Sequence, residues 1–594
     1  MTPDEAAGEL LRLAGARFGD LEPAEENLLR AAARGEPANA DPEARAWDDA
    51  ANTPGAPGFD VRARRVRAAL IRWLCVDPEA SRGAAPRGLQ LFAAVIVGGL
   101  DLSFAAIPWP VGLFRCLFKE TPHLLHASVP AFHLRGSHCP GLTADGLRVQ
   151  VDVFLDDGFQ SKGQVRLVGA DIGGSLGCGG GHFRNPGKEA LSCDSIKVGR
   201  SVFLHQTFHA KGEVRLLGAE IGGDLDCAGG HFRNPGNDAL SCDRIKVGGS
   251  VFLREQPAAE EQPAKQFRAE GKVRLLGAAI GGDLDCGGGH FCNLGNDALS
   301  CDGMKVGGST FLRQGFTVEG KAGLTGTQIG ARFVLRRAQI SEISLAGASA
   351  DVLDDEIAAW PAAGNIDLDG FTYRHLAKPE AAARLEWLRL QLPPDAEAGS
   401  LRLQPYRQLA KVLKDQGLDS EARAILIGME DDRLAYGDLR DDSRRWQWFL
   451  GKSIAYGYRP FLVLRLLRAF WLAGLVIFGI GYAAGGVVPA HRFEAAHFVR
   501  HGEAPGYYPD FNLPAYAADS LLPIISLDQR DNWIPASPDA RLPGCTIAPC
   551  PRTPSGLRWF GLWVLWYFRW ADTAAGWLLV TLFLGALGGL VRRE

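Results

Sequence analysis

Cysteine, histidine and aspartate recur together in this chain, and their spacing is the first place to look for chemistry. Cys178, Cys227 and Cys286 each precede a histidine (His182, His231, His290) in a C-x3-H pattern, and Cys193, Cys242 and Cys301 each precede an aspartate (Asp194, Asp243, Asp302). Thiolate and imidazole are ligands that zinc and iron accept, so these pairs could hold a metal or do redox work. Two features weigh against that. No C-x2-C pair accompanies them, and each copy of the surrounding sequence would carry its own partial site. Cysteine also packs as a small buried hydrophobe, so the six are read as a structural ladder inside a repeat.

The glycine strings nearby, IGG and CGGGHF, do not follow the phosphate-loop patterns, because no G-x-G-x-x-G opens a helix and no G-x-x-x-x-G-K occurs. They fit chain corners that need positive φ. There is no nucleophile elbow and no H-E-x-x-H. Catalytic, cofactor-binding and metal-binding residues are therefore none, and no cofactor is expected.

The elements that would position these residues are repeats. VRLVGADIGGSLGCGGGHFRNPG begins at Val165, and close copies begin at Val214 and Val273, with a degenerate one at Ala322. The anchor leucines Leu167, Leu216, Leu275 and Leu324 are 49, 59 and 49 residues apart, and each unit holds two similar halves. The extra ten residues fall in REQPAAEEQPAKQFRAEG, a loop grown without loss of register. A period of about 24 residues with short β-branched strands and glycine corners predicts a right-handed parallel β-helix. Weaker copies from Leu89 and Ala144 extend it over 88–348, on the order of ten coils.

Helical patterns flank the solenoid. Residues 1–87 carry amphipathic runs such as VRARRVRAALIRWL and are expected to cap its N-terminal end. Residues 349–445 contain QPYRQLAKVLKDQGLDSEARAILIGMEDDRLAYG, a helical hairpin closed at Gly417 and reopened at Asp419. One such hairpin looks tetratricopeptide-like, yet capping the open coil edge is the expected role.

Residues 446–594 read as a membrane domain. VLRLLRAFWLAGLVIFGIGYAAGGVV at 463–488 has no charge after Arg468, and a second apolar run is read over about 570–591. Arg444, Arg445, Lys452, Arg459, Arg465 and Arg468 precede the first, and Arg592 and Arg593 follow the second, which predicts both ends in the cytoplasm. The loop between them would be external. Its semi-apolar part supplies the candidate functional residues Phe511, Asn512, Asp519, Pro523, Asp528, Trp533 and Pro535, and Cys545 and Cys550 are a candidate disulfide.

Composition sets the remaining bounds. A chain of 594 residues is too long for one core, and a formal charge of −4 gives no reason to expect nucleic acid. Met1–Leu11 carries Asp4, Glu5 and Glu9, so no secretory signal is expected there. Ten of the twelve cysteines precede residue 302 without a small-domain disulfide pattern, which suits a reducing compartment.

The order of motifs, from VRAALIRWLC at Val66–Cys75 through the GG-L-D repeats to QPYRQLAKVLKDQGLDSEARAILI, AYGYRP and the FN–P–ADSLLPI loop, resembles a family of bacterial membrane proteins loosely named "membrane-associated oxidoreductase". The resemblance covers nearly the whole chain and implies an inner-membrane location, but brings no catalytic residues. The solenoid is similar to pentapeptide-repeat folds, with a period that departs from strict fives.

The expected function is a membrane-anchored cytoplasmic β-helical scaffold, with the lipid bilayer and a protein partner on the solenoid surface as its contacts and a homo-oligomer possible in principle. One alternative is an oligomeric ion channel or gated pore with a re-entrant segment at 516–535, although Ile524, Ile525 and Ser526 lack the glycines of a filter backbone. The other is the oxidoreductase that the family name implies.

Overall fold

Many of the strands are only two residues long, one residue turned inward and the next outward, and tight corners join them. The computed structural model describes residues 2–41, 43, 45–46, 49–258, 263–397, 399–522, 524–536 and 556–589. The chain forms two units, Met1–Ala396 with Arg402–Ile425, and Glu397–Leu401 with Leu426–Glu594.

The first unit is a parallel β-solenoid of about 12 turns. Val165–Arg166, Asp171–Ile172 and Leu176–Gly177 are successive short strands of one turn, and each pairs in parallel with its counterpart a turn away. Contacts between adjacent turns alternate between 23 and 26 residues along the sequence, as Asp194 to Leu217 and Asp224 to Ser250 show. The sequence repeat is therefore two turns. The longer turn contains the NPG stretch, where the pairing of His182–Ser192 with His209–Arg215 shifts register. The grown loop lies between Leu253 and Phe267, and His231 still pairs with Arg268 beyond it.

The interior is filled by columns of side chains. Phe159, Phe183, Phe208, Phe232, Phe267, Phe291 and Phe316 are each buried, with ring centroids 5.1–5.5 Å from the next. The repeat cysteines do not stack on one another. Backbone bonds from Cys178 to Phe203, from Leu204 to Asp226 and from Cys227 to Phe252 place Cys178, Leu204 and Cys227 on successive turns. Leu167, Cys193, Leu216 and Cys242 alternate in the same way. A large residue above a small one keeps the interior filled at close packing.

Helices sit at both ends of this unit. At the N-terminal end, α1 (Pro3–Phe18), α2 (Pro23–Arg34), α3 (Ala68–Val76) and α4 (Pro78–Gly83) bury Leu10, Leu28, Leu29 and Leu74. The intervening chain is itself part of the sheet: Ala38–Asn39 pairs with Leu91–Phe92, and Arg65–Arg67 with Val95–Val97. The strands thus begin well before the repeat is visible in sequence, and they continue to Thr372–Leu376. After α5 (Ala381–Arg389), the amphipathic α6 (Gln404–Asp415) lays glutamines along that last strand. Gln404 accepts from the Gly370 N–H at 3.0 Å, and Gln408 and Gln416 donate to the Tyr373 and Leu376 carbonyls at 2.7 and 3.3 Å. Backbone groups that a further turn would have satisfied are met by side chains instead.

The second unit follows α7 (Asp419–Tyr436), which passes from one unit into the other. It contains α8 (Asp441–Ile454), α9 (Val463–Ala483), α10 (Arg492–His501), α11 (Leu513–Leu521), α12 (Gln529–Asn532) and α13 (Gly556–Leu587). The stretches Pro460–Ala483 and Gly561–Leu587 are helices long and apolar enough to cross a membrane. The first stops near Gly485, whose φ is 71°, and residues 487–489 are extended. The second starts well before the pattern-based boundary at 570, because Arg569 and Asp572 interrupt the apolar run without breaking helix.

Candidate functional site

Six of the seven loop residues singled out from sequence fall in a folded segment beside α9 and α13. Asn512 caps α11 by accepting from the Ala515 N–H at 3.1 Å. The helix then packs along both apolar helices: the Trp471 indole donates to the Pro514 carbonyl at 3.2 Å, and the Thr573 hydroxyl to the Ser520 carbonyl at 3.1 Å. A Cβ on Gly474 would lie 3.3 Å from Ala517, and one on Gly576 would collide with the Leu521 carbonyl. Small residues on the long helices are what let α11 approach. Nine residues of helix advance about 13 Å, and Leu521 ends level with Gly576, past the midpoint of Gly561–Leu587. The segment is re-entrant relative to the two long helices.

Return of the chain is organised by Asp519, which is buried. Its carboxylate accepts from the backbone N–H groups of Leu527, Gln529 and Arg530 at 3.2, 3.0 and 2.8 Å. Asp528 takes a left-handed conformation (φ 57°) at the start of α12. Trp533–Pro535 then pairs antiparallel with Val487–Pro489, at the far end of α9. Trp533 is buried against Tyr482, Phe498, Tyr508 and Phe511, and its indole N–H donates to the Pro509 carbonyl at 3.0 Å. Phe511 stacks on Tyr482 at 4.3 Å. Six of the seven residues thus hold one aromatic and hydrogen-bonded assembly, while Pro523 lies outside the described residues, as do Cys545, Cys550, Arg592 and Arg593.

Sequence reading missed Tyr516, Ser520 and Asp572. All three are buried, and among the described residues the Tyr516 hydroxyl, the Ser520 hydroxyl and both Asp572 carboxyl oxygens have no well-formed hydrogen bond. Asp572, which faces Ser520, is a carboxyl within an apolar helix. Such a residue was visible in the sequence as the acidic interruption of the second apolar run, and a carboxyl buried among apolar side chains is costly unless it serves a purpose.

The solenoid has a second feature with a regular geometry. One outer face carries a groove of about 880 Å³, lined by a charged or polar column (Asp171, Lys197, Glu220, Lys246), an aliphatic column and a glycine column. Each glycine of that column is fixed by packing: a Cβ on Gly199 would strike the Gly173 carbonyl, and one on Gly222 the Gly199 carbonyl. Within the charged column Lys246 pairs with Glu220 on the adjacent turn at 2.9 Å.

The cysteine–histidine pairs that prompted a metal reading diverge. Cys178, Cys227 and Cys286 are buried in the interior, and His182, His231 and His290 stand half-exposed outside. Burial pushes the thiols of all six repeat cysteines well above the usual range, away from thiolate. Among the described residues no group of three histidine, cysteine or acidic side chains is placed to hold a metal ion. The repeat aspartates are corner caps: Asp194 accepts from the Leu217 N–H at 3.1 Å and pairs with Arg215 at 2.7 Å. Asp243 meets Leu276 and Arg274 in the same manner. No protein-family model matches the chain, and neither a curated protein nor a solved structure matches it significantly.

Proposed function

We propose that the chain is a membrane-anchored scaffold: α9 and α13 cross the bilayer as a hairpin, and the solenoid offers its long faces to a protein partner in the cytoplasm. The observation that carries this reading is the exposed apolar surface on both helices. Leu464, Leu472, Val476 and Ile480 on α9, and Trp577, Leu578 and Leu584 on α13, are exposed large hydrophobics that a bilayer would cover. The arginines and lysine from Arg444 to Arg468, with Arg592 and Arg593, favour cytoplasmic ends. The paired ends of the intervening segment, Val487–Pro489 and Trp533–Pro535, then lie on the outer side, with Trp533 near headgroup level. On the solenoid, the grooved face is the surface best suited to a partner, since its charges and aliphatic residues repeat at a fixed rise.

The test is topological. A membrane-impermeant thiol reagent applied to intact cells is expected to modify a cysteine placed at Pro505, and not one placed at Gly437 or after Glu594. Modification at all three positions, or only at the two ends, would refute the arrangement.

One observation favours a second reading, an oligomeric pore. The α11 helix enters between two long helices and turns back past the midpoint of one of them, the layout of a re-entrant pore segment. Unitary currents from the purified chain in planar bilayers, lost in Asp519→Ala, would support it, and silent bilayers with correctly inserted protein would oppose it. The family resemblance suggests redox chemistry as a third possibility, and flavin, haem or nicotinamide absorbance in the purified chain would support that.

A further inference from the structure

The outer side of the second sheet carries a column of imidazoles that the scaffold reading does not use. His182, His209 and His231 occupy successive turns in register, with ring centroids 6.1 and 4.7 Å apart. Beside them runs a second outward column. Arg184 pairs in register with Lys211, and Lys211 with Arg233, each step being one turn of about 4.8 Å. The three histidines, Arg184 and Lys211 line a cavity of about 380 Å³, to which Thr207 and Lys265 also contribute and, among the described residues, no carboxylate does.

Later turns of the same columns show how the protein balances such charge. Glu270 follows Arg233 in register and lies 2.9 Å from it and 3.2 Å from His231, and Glu319 lies 3.2 Å from His290. Upstream that balance is missing. Among the described residues neither Arg184 nor Lys211 has a carboxylate within ion-pair distance, although they stand one turn apart. The histidines answer by staying neutral. Burial first, and then His231, His182, Lys211 and Arg184, hold His209 down to about 4. Burial and Arg184 lower His182, and burial with Arg268 and Arg233 lowers His231 against the opposing pull of Glu270.

We propose that this face binds a phosphoryl group, with Arg184 and Lys211 as its counter-charges and the histidine column as donors. Two fixed cations one turn apart match a doubly charged oxyanion better than a carboxylate, and guanidinium, ammonium and imidazole are the usual phosphate donors. Half-burial of the rings removes part of the competing water. The group can be carried by a soluble phosphate ester or by a lipid headgroup, since both present the same oxygens.

The experiment is calorimetric titration of the full chain in nonionic detergent. Inorganic phosphate at about pH 7 is expected to give saturable binding that Arg184→Ala with Lys211→Ala weakens at least about tenfold, as loss of two charge-assisted contacts implies. Lys197→Ala with Arg200→Ala, on the groove side, should leave it unchanged. Sulfate keeps its charge over the range in which histidine titrates, so its affinity should rise as pH falls from about 7 to about 5.5, with protons taken up on binding. Dihexanoyl phosphatidic acid in place of phosphate separates the sources: much tighter binding assigns a lipid headgroup, and equal binding a soluble ester. Absence of saturable heat up to about 10 mM phosphate, or equal binding by the Arg184/Lys211 variant, overturns the proposal. So does a sodium chloride titration that reproduces the signal.

Discussion

The solenoid and the re-entrant segment satisfy their buried polar groups in opposite ways. In the solenoid the same contact is made again on every second turn: Asp194 with Leu217 and Arg215, Asp243 with Leu276 and Arg274. In the second unit each contact is made once, between residues far apart in sequence, as Thr573 with Ser520 or Trp471 with Pro514. Repetition spreads a loss over many similar neighbours, whereas a unique contact has no substitute. The two regions should therefore respond differently to substitutions of similar size.

The largest effect is expected from Gly576→Val. Its side chain would need the space of the Leu521 backbone, so α11 must leave its place between the helices. The variant should insert but lose the aromatic assembly around Trp533, read as a red shift and quenching of tryptophan fluorescence in detergent. A folded variant with native fluorescence would show that α11 is held elsewhere. Next comes Asp519→Ala, which strands three backbone N–H groups and should cost about 3 kcal/mol, measured by detergent-to-SDS unfolding. Asp194→Ala removes a half-exposed corner cap and should cost about 1 kcal/mol in the solenoid's thermal unfolding. A loss equal to that of Asp519→Ala would erase the contrast between the regions. Cys242→Ala should be smallest, at or below about 1 kcal/mol, since only a sulfur's volume leaves a packed column. Stoichiometric zinc or iron in the purified chain, lost in this variant, would show the cysteine to be more than filling.

What the sequence disclosed follows the same divide. The repeat of Leu, Ile, Cys and Gly made the solenoid legible, because each residue type has one job at a fixed place in the turn. Even the interval of 49 residues has a simple origin, one shorter and one longer turn. The first strands escaped notice because Ala38–Asn39 and Arg65–Arg67 sit among helices and lack the repeat's residues. The stack of cysteines expected from spacing turned out to be interleaved with leucines, which a comparison of half-repeats could have revealed. Around α11 the difficulty was of another kind. A short run with Pro514, Asp519 and Ser520 reads as a semi-apolar loop, and only the backbone N–H groups that donate to Asp519 and the glycines of distant helices make it a buried helix. The stretch itself was singled out from sequence, and Asp572, the acidic interruption of the second apolar run, was the signal left unused.

Alternation of leucine with cysteine gives the solenoid a unit cell of two turns, about 9.6 Å, rather than one. Removing a single turn would set leucine over leucine in one column and cysteine over cysteine in the other, crowding the first and emptying the second. Growth and loss of length are thus quantised: such a chain can lengthen by duplicating its 49-residue unit without redesigning any interior position. Inheritance then copies the rod in pairs of turns, and a partner that reads its surface meets the same pattern at each added step.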